Sequence, residues 1–112
     1  MDKVAPCAGT AAAPQLSERQ RKHLRGLAHA LKPLIRVGNA GLTPALAAET
    51  ERVLNDHELI KVKTAALERP ARDELFAALA RQTGSALVHR IGNVAVLYRP
   101  HAQLPRILIP DR

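Results

Sequence analysis

Two glycines three apart, Gly38 and Gly41, sit in the stretch RVGNAGLTPAL, Arg36 to Leu46. The chemistry open to such a corner is anion binding. Glycines can take positive φ and carry no Cβ to hold another backbone away, so successive amide N–H groups can face a phosphate. A Thr-Pro pair directly behind the second glycine starts a helix, whose free amides and positive dipole end favour the same ligand. KH domains use a Gly-x-x-Gly loop beside a helix in a comparable way. A plain turn is the competing explanation of the same residues.

Cations stand on both sides of this corner. Arg36 precedes it, and Lys61 and Lys63 alternate in LIKVKTA, so they share one side of a strand. Between Ser17 and Lys32 there are five basic residues, Arg19, Arg21, Lys22, Arg25 and Lys32, against the single acid Glu18. At 100° per residue Arg21, Lys22, Arg25, His29 and Lys32 fall in one arc of a helix. With this basic helix beside the corner, binding outweighs the plain turn. The expected contacts are Gly38, Asn39, Ala40 and Gly41 through the main chain, and Arg21, Lys22, Arg25, Lys32, Arg36, Lys61 and Lys63 through charge. From Thr43 to Glu58 the balance reverses, with Arg52 alone against Glu49, Glu51, Asp56 and Glu58, so the second helix would repel a phosphate chain except at its N-terminus.

The elements that must hold these residues follow from spacing. Ser17 is an N-cap, and Leu24, Leu27, Ala28 and Leu31 keep helical spacing, which predicts a first helix from about Ser17 to Leu31, stopped by Pro33. Gly26 weakens this helix by about 1 kcal/mol relative to alanine. Leu34 to Val37 reads as a short strand. Thr43 caps a second helix, Pro44 to His57, with Leu46, Thr50, Val53, Leu54 and His57 inward. Leu59 to Ala65 is a strand, Pro70 opens a third helix that Gly84 stops, and ALVHRI and VAVLYR flank a Gly92-Asn93 hairpin turn. The order α-β-α-β-α-β-β predicts an α/β two-layer sandwich with a four-stranded mixed sheet. Residues 1–15, rich in Ala and Pro, read as a disordered extension, residues 16–100 as one domain and residues 101–112 as a tail in which Ile107 to Ile109 add an edge strand or dock.

Composition narrows the function. The chain of 112 residues carries +7, with 17 Lys and Arg against 10 Asp and Glu. This favours a polyanionic partner. Phe76 and Tyr98 are the only aromatic residues, so base stacking on aromatic platforms is excluded as the main grip. No apolar run approaches the roughly 18 residues of a membrane span, and the basic arc has no aromatic anchors for a membrane surface. Cys7 is a lone cysteine, which fits a reducing cytoplasm. No Gly-x-x-x-x-Gly-Lys-Ser/Thr, His-Glu-x-x-His or Gly-x-Ser-x-Gly motif occurs, and the histidines lack metal-ligand spacing. The reading is therefore a binding protein with no cofactor, metal or small-molecule substrate, and not an enzyme.

Three blocks, LSERQRKHLRGLAHALKPLIRVGNAGLT, HELIKVK and GNVAVLYRP, together resemble the bacterial YhbY-type RNA-binding proteins. Those are stand-alone CRM domains (chloroplast RNA splicing and ribosome maturation). The resemblance covers about Leu16 to Pro100. It implies a fold like the C-terminal domain of translation initiation factor three. It also implies RNA binding through the Gly-x-x-Gly loop and its basic neighbours, and association with precursor large ribosomal subunits. The loop has no Lys or Arg at its middle positions, Asn39 and Ala40, so its grip would rest on amides. The competing expectation is a protein-interaction module that docks on a ribosomal protein or assembly factor through the acidic second helix or the RILIP tail.

Overall fold

A computed structural model describes residues 13–38, 40–65 and 68–101 and the single positions 103, 105 and 107. The extension expected over residues 1–15 lies outside the described residues as far as residue 12. Each helix begins where local chemistry starts it. Helix α1, Glu18–Ala28, has a capping box: the Ser17 hydroxyl accepts from the Gln20 N–H and the Gln20 side chain accepts from the Ser17 N–H. Such a cap contributes about 1 kcal/mol. Helix α2, Pro44–His57, is capped by the Thr43 hydroxyl, which accepts from the Leu46 N–H. Helix α3, Arg69–Thr83, begins one residue before Pro70 and stops at Gly84, whose φ of 65° is left-handed. There the Ser85 N–H bonds back to the Ala80 carbonyl, as a glycine stop permits.

The strands are β1 (Ile35–Val37), β2 (Leu59–Thr64), β3 (Ala86–Ile91) and β4 (Val94–Tyr98), in sheet order β1-β2-β4-β3. β1 and β2 are parallel; β4 runs antiparallel to both of its neighbours. This is the expected α/β order with a four-stranded mixed sheet. Helices α2 and α3 cover one face. Their contact with the sheet buries Ile35, Val37, Ile60, Val62, Ala95 and Leu97 with Val53, Leu54, Phe76 and Leu79. Phe76 has no exposed surface, and burying it contributes about 2–3 kcal/mol.

Helix α1 lies on the other face. Leu24 and Ala28 pack there with Leu59, Val88, Val96 and Tyr98, and Leu16 and Ile107 close the cluster. The two-layer unit of sheet, α2 and α3 thus carries a third helix that covers only part of the opposite face. Of the tail residues expected to dock, Ile107 does so; Leu108 and Ile109 lie outside the described residues.

Helix α1 ends at Ala28, three residues short of the expected Leu31. Lys32 precedes Pro33, and a residue before proline avoids the helical region. The Leu31 N–H bonds to the Ala28 carbonyl, so one loose turn leads to β1. Leu27 and Leu31, whose spacing predicts burial, are 43% and 38% exposed. His57, expected on the inner side of α2, is exposed, whereas Thr50, Val53 and Leu54 are buried as expected.

Candidate nucleic-acid interface

The glycine corner is a surface feature. Gly38 and Ala40 are exposed, and the Gly41 N–H donates to the Gly38 carbonyl at 3.0 Å, which closes the turn. Asn39 lies outside the described residues. Gly41 has φ 71°, where a side chain would be strained. Gly38 is not in that region, and a Cβ built on it meets nothing within 4 Å. The fold therefore explains Gly41 and does not require Gly38. Behind the corner, the first turn of α2 has no acidic side chain. Its positive end is left uncompensated.

The corner stands at one end of the sheet. Val37 pairs with Thr64 there, and the Thr64 N–H donates to the Asn93 carbonyl of the hairpin turn. Register then decides which cations share a face. Arg36 lies beside Lys63 across β1 and β2, on the same side as Lys61. That side is the α1 side, because Leu59 of the same alternation packs against Leu24 and Ala28. Neighbouring like charges on a sheet destabilise it. Arg36 beside Lys63 is a local conflict that the fold does not need.

Beyond the end of the α1 cluster the face is open. A groove of about 780 Å³ runs between α1 and the sheet, with Lys22, Arg25 and Lys61 among its lining residues. His29, His89 and Gly26 line it too, over a floor that includes Ile91, Val94 and Val96. Ile91 is 68% exposed. Among the described residues, Lys22, Arg25, Lys32, Arg36, Lys61 and Lys63 have no ion-pair partner.

The expected contact residues thus separate. Lys22, Arg25 and Lys61 meet in one groove, and Arg36 and Lys63 continue the same sheet face. Lys32 is exposed but lies past the end of α1, in the linker to β1. Arg21 turns to the sheet, where its guanidinium donates to the Leu87 carbonyl at 2.8 Å and the Val88 carbonyl at 3.4 Å. A bulge between Leu87 and His89 interrupts the ladder at that point, and Arg21 donates to the carbonyls on its near side.

That bulge does more. Simple alternation along ALVHRI would place Leu87, His89 and Ile91 on one face. Instead Leu87 pairs with Leu97 and joins the α2/α3 core, while Val88 packs under α1 and His89 pairs with Val96 on the groove side. An inserted residue re-aims everything after it. Burial, then Arg25 and Arg90, hold the His89 imidazole below its ordinary pKa. Sequence spacing gave no sign of His89 as a groove residue, because the bulge leaves no local mark.

Arg90 and Arg99 are structural. Arg90 pairs with Asp73 at 2.8 Å. Arg99 donates to the Glu51 carboxylate at 2.8 Å, the Thr83 carbonyl at 2.6 Å and the Asn55 side chain at 2.7 Å. Glu58, counted with the acids of α2, is fully buried. Its carboxylate accepts from the His101 N–H at 2.6 Å and the Ile107 N–H at 2.9 Å. Its own φ is 66°, the only positive value at a non-glycine among the described residues.

A family model for the CRS1/YhbY (CRM) domain matches residues 16–99. The chain belongs to the CRM domain family. The match spans every helix and strand described above. A Haemophilus influenzae protein named RNA-binding protein is 46% identical over 95 residues, covering 81% of this chain and 96% of its own length. Pseudomonas aeruginosa PA4753, named a probable RNA-binding protein, is 48% identical over 84 residues, 75% of this chain and 81% of its own. The solution structure of Staphylococcus aureus SAV1595 superimposes with a TM-score of 0.75 at 31% identity, covering 86% of this chain and all of that one. The CRM domain here thus shares its architecture with a solved relative.

Proposed function

We propose that this CRM domain is an RNA-binding protein that grips the ribose-phosphate backbone and assists assembly of the large ribosomal subunit, without chemistry of its own. One observation carries the backbone grip: the cations on the α1 side of the sheet lack carboxylate partners among the described residues, although the chain has acids enough to pair several of them. Unpaired charges on one open face, next to a glycine corner whose Gly38 the fold does not require, suit a phosphate chain. The relatives named for RNA binding support the choice of RNA. Resemblance to the bacterial stand-alone CRM proteins supports precursor ribosomal RNA in the cytoplasm as the target.

A docking role for an acidic α2 has less to stand on. Glu49 and Asp56 pair with Arg52, and Glu51 with Arg99, so that helix presents little unbalanced charge.

Salt titration of binding to single-stranded ribosomal RNA fragments tests the proposal. Contact with four phosphates gives a slope of log K on log salt near about −3, and about a 50-fold loss between ~50 and ~200 mM. A flat titration overturns the backbone grip. Replacing Gly38 with leucine, whose Cβ would meet nothing within 4 Å, should weaken binding while the domain stays folded. Depletion of the protein from cells should leave precursor large subunits accumulating; unaltered subunit profiles overturn the assembly role.

A further inference from the structure

We propose that the groove between α1 and the open sheet face holds one unpaired ribonucleotide, its base on Ile91, Val94 and Val96 and its phosphate on Lys22, Arg25 and Lys61. This rests on the RNA-binding reading and deepens it by assigning the groove to a base instead of the backbone alone.

The groove combines two chemistries that a plain phosphate track does not need. Its floor is aliphatic, with Ile91 68% exposed in a hairpin beside cations. Its rim is cationic, and among the described residues no Asp or Glu lines it. An anion with an apolar planar body satisfies both. At about 780 Å³ the space lies within the range of small-ligand sites. A duplex presents its phosphates outward and its bases stacked, so only an unpaired nucleotide can put a base into such a concavity.

Gly26 is the second, independent observation. It weakens the middle of α1, yet a Cβ built on it meets nothing within 4 Å. Neither a turn nor packing accounts for it. It lines the groove, and its missing side chain leaves the helix wall low where a base would slide between α1 and the floor. The Arg25 guanidinium on the same wall offers a planar cation for stacking, the role an aromatic would otherwise fill.

The test uses the full chain with a fluorescein-labelled oligouridylate of about 12 nucleotides and an RNA duplex of equal length. Gly26→Leu fills the groove from α1, and Ile91→Gln makes the floor polar at an exposed position without changing its charge. Both should melt no lower than about the wild-type temperature and lose single-strand affinity about fivefold or more, the low end for losing one base contact, with duplex affinity unchanged. In the wild type, 4-thiouridine at one position should crosslink to the peptide carrying Ile91 to Val96. If Gly26→Leu disturbs the helix, the Ile91→Gln result and the crosslink decide. Wild-type single-strand affinity in both variants overturns the groove assignment, as does labelling of this peptide by a photoreactive acidic peptide but not by RNA. If Gly38→Leu then still weakens binding, the RNA reading survives; if the wild type binds neither RNA, that reading fails first.

Discussion

The two faces of the sheet handle charge differently. On the α2/α3 side, Arg52 pairs with Glu49 and Asp56, Arg81 with Glu74, Arg90 with Asp73, and Arg99 with Glu51. On the α1 side, Lys22, Arg25, Arg36, Lys61 and Lys63 have no such partners among the described residues. Both sides carry cations. The difference lies in where the acids are. The net charge of +7 is therefore a poor description of the molecule: one side is close to self-compensated and structural, and the other holds the unbalanced charge. A polyanion would meet that second side because its charges are not already neutralised.

Arg99→Ala should strike the structural side hardest. It removes a nearly buried guanidinium from Glu51, Thr83 and Asn55 and strands the Glu51 carboxylate. The expected loss is about 3 kcal/mol in urea unfolding, with RNA affinity of the folded fraction unchanged. A stable but RNA-deficient variant would merge the two sides. Reversing charge on the open side with Lys61→Glu and Lys63→Glu should lower RNA affinity about 100-fold by anisotropy and leave the melting temperature within a few degrees. Arg52→Glu serves as the control, expected to alter affinity about twofold or less. Equal losses from both sides would erase the distinction.

Glu58→Gln sharpens the boundary between the faces. Glutamine keeps one acceptor oxygen where two now bind the His101 and Ile107 amides. It should cost about 1–2 kcal/mol and free the 101–107 segment, seen as faster amide exchange at Ile107. Smallest is a pH effect. His89 has a folded pKa held below 6.5, so the unfolded chain takes up the proton first and stability falls as pH drops through 6.5. The thermal midpoint should decline from about pH 7.5 to 5.5 more in the wild type than in His89→Gln; equal slopes would remove His89 as the cause.

Much of the fold could be read from local signals. Ser17, Thr43 and Gly84 act as caps and stop where their chemistry predicts, and Gly92-Asn93 turns the hairpin. The spacing in LIKVKTA correctly put Lys61 and Lys63 together. What escaped was whatever depended on a partner distant in sequence. Glu58 counts as a surface acid until the tail folds over it, and nothing near Arg99 in the sequence shows that α2 and the end of α3 surround it. Arg21 reads as a phosphate contact until the β3 bulge supplies carbonyls for it. Leu27 and Leu31 have helical spacing but no element to cover them.

The sequence by itself determined the order of elements, the glycine corner, the shared side of Lys61 and Lys63, and the cationic excess of the first helix. These follow from backbone preference, alternation and helical period, which act over a few residues. Only the tertiary structure decided that α1 lies on the sheet face opposite α2 and α3, that Arg36 stands beside Lys63, and that a bulge brings His89 into a groove with Lys22, Arg25 and Lys61. The reason is physical: strand register and the choice of sheet face are set by which apolar surfaces meet across the fold, and no local stretch carries that information.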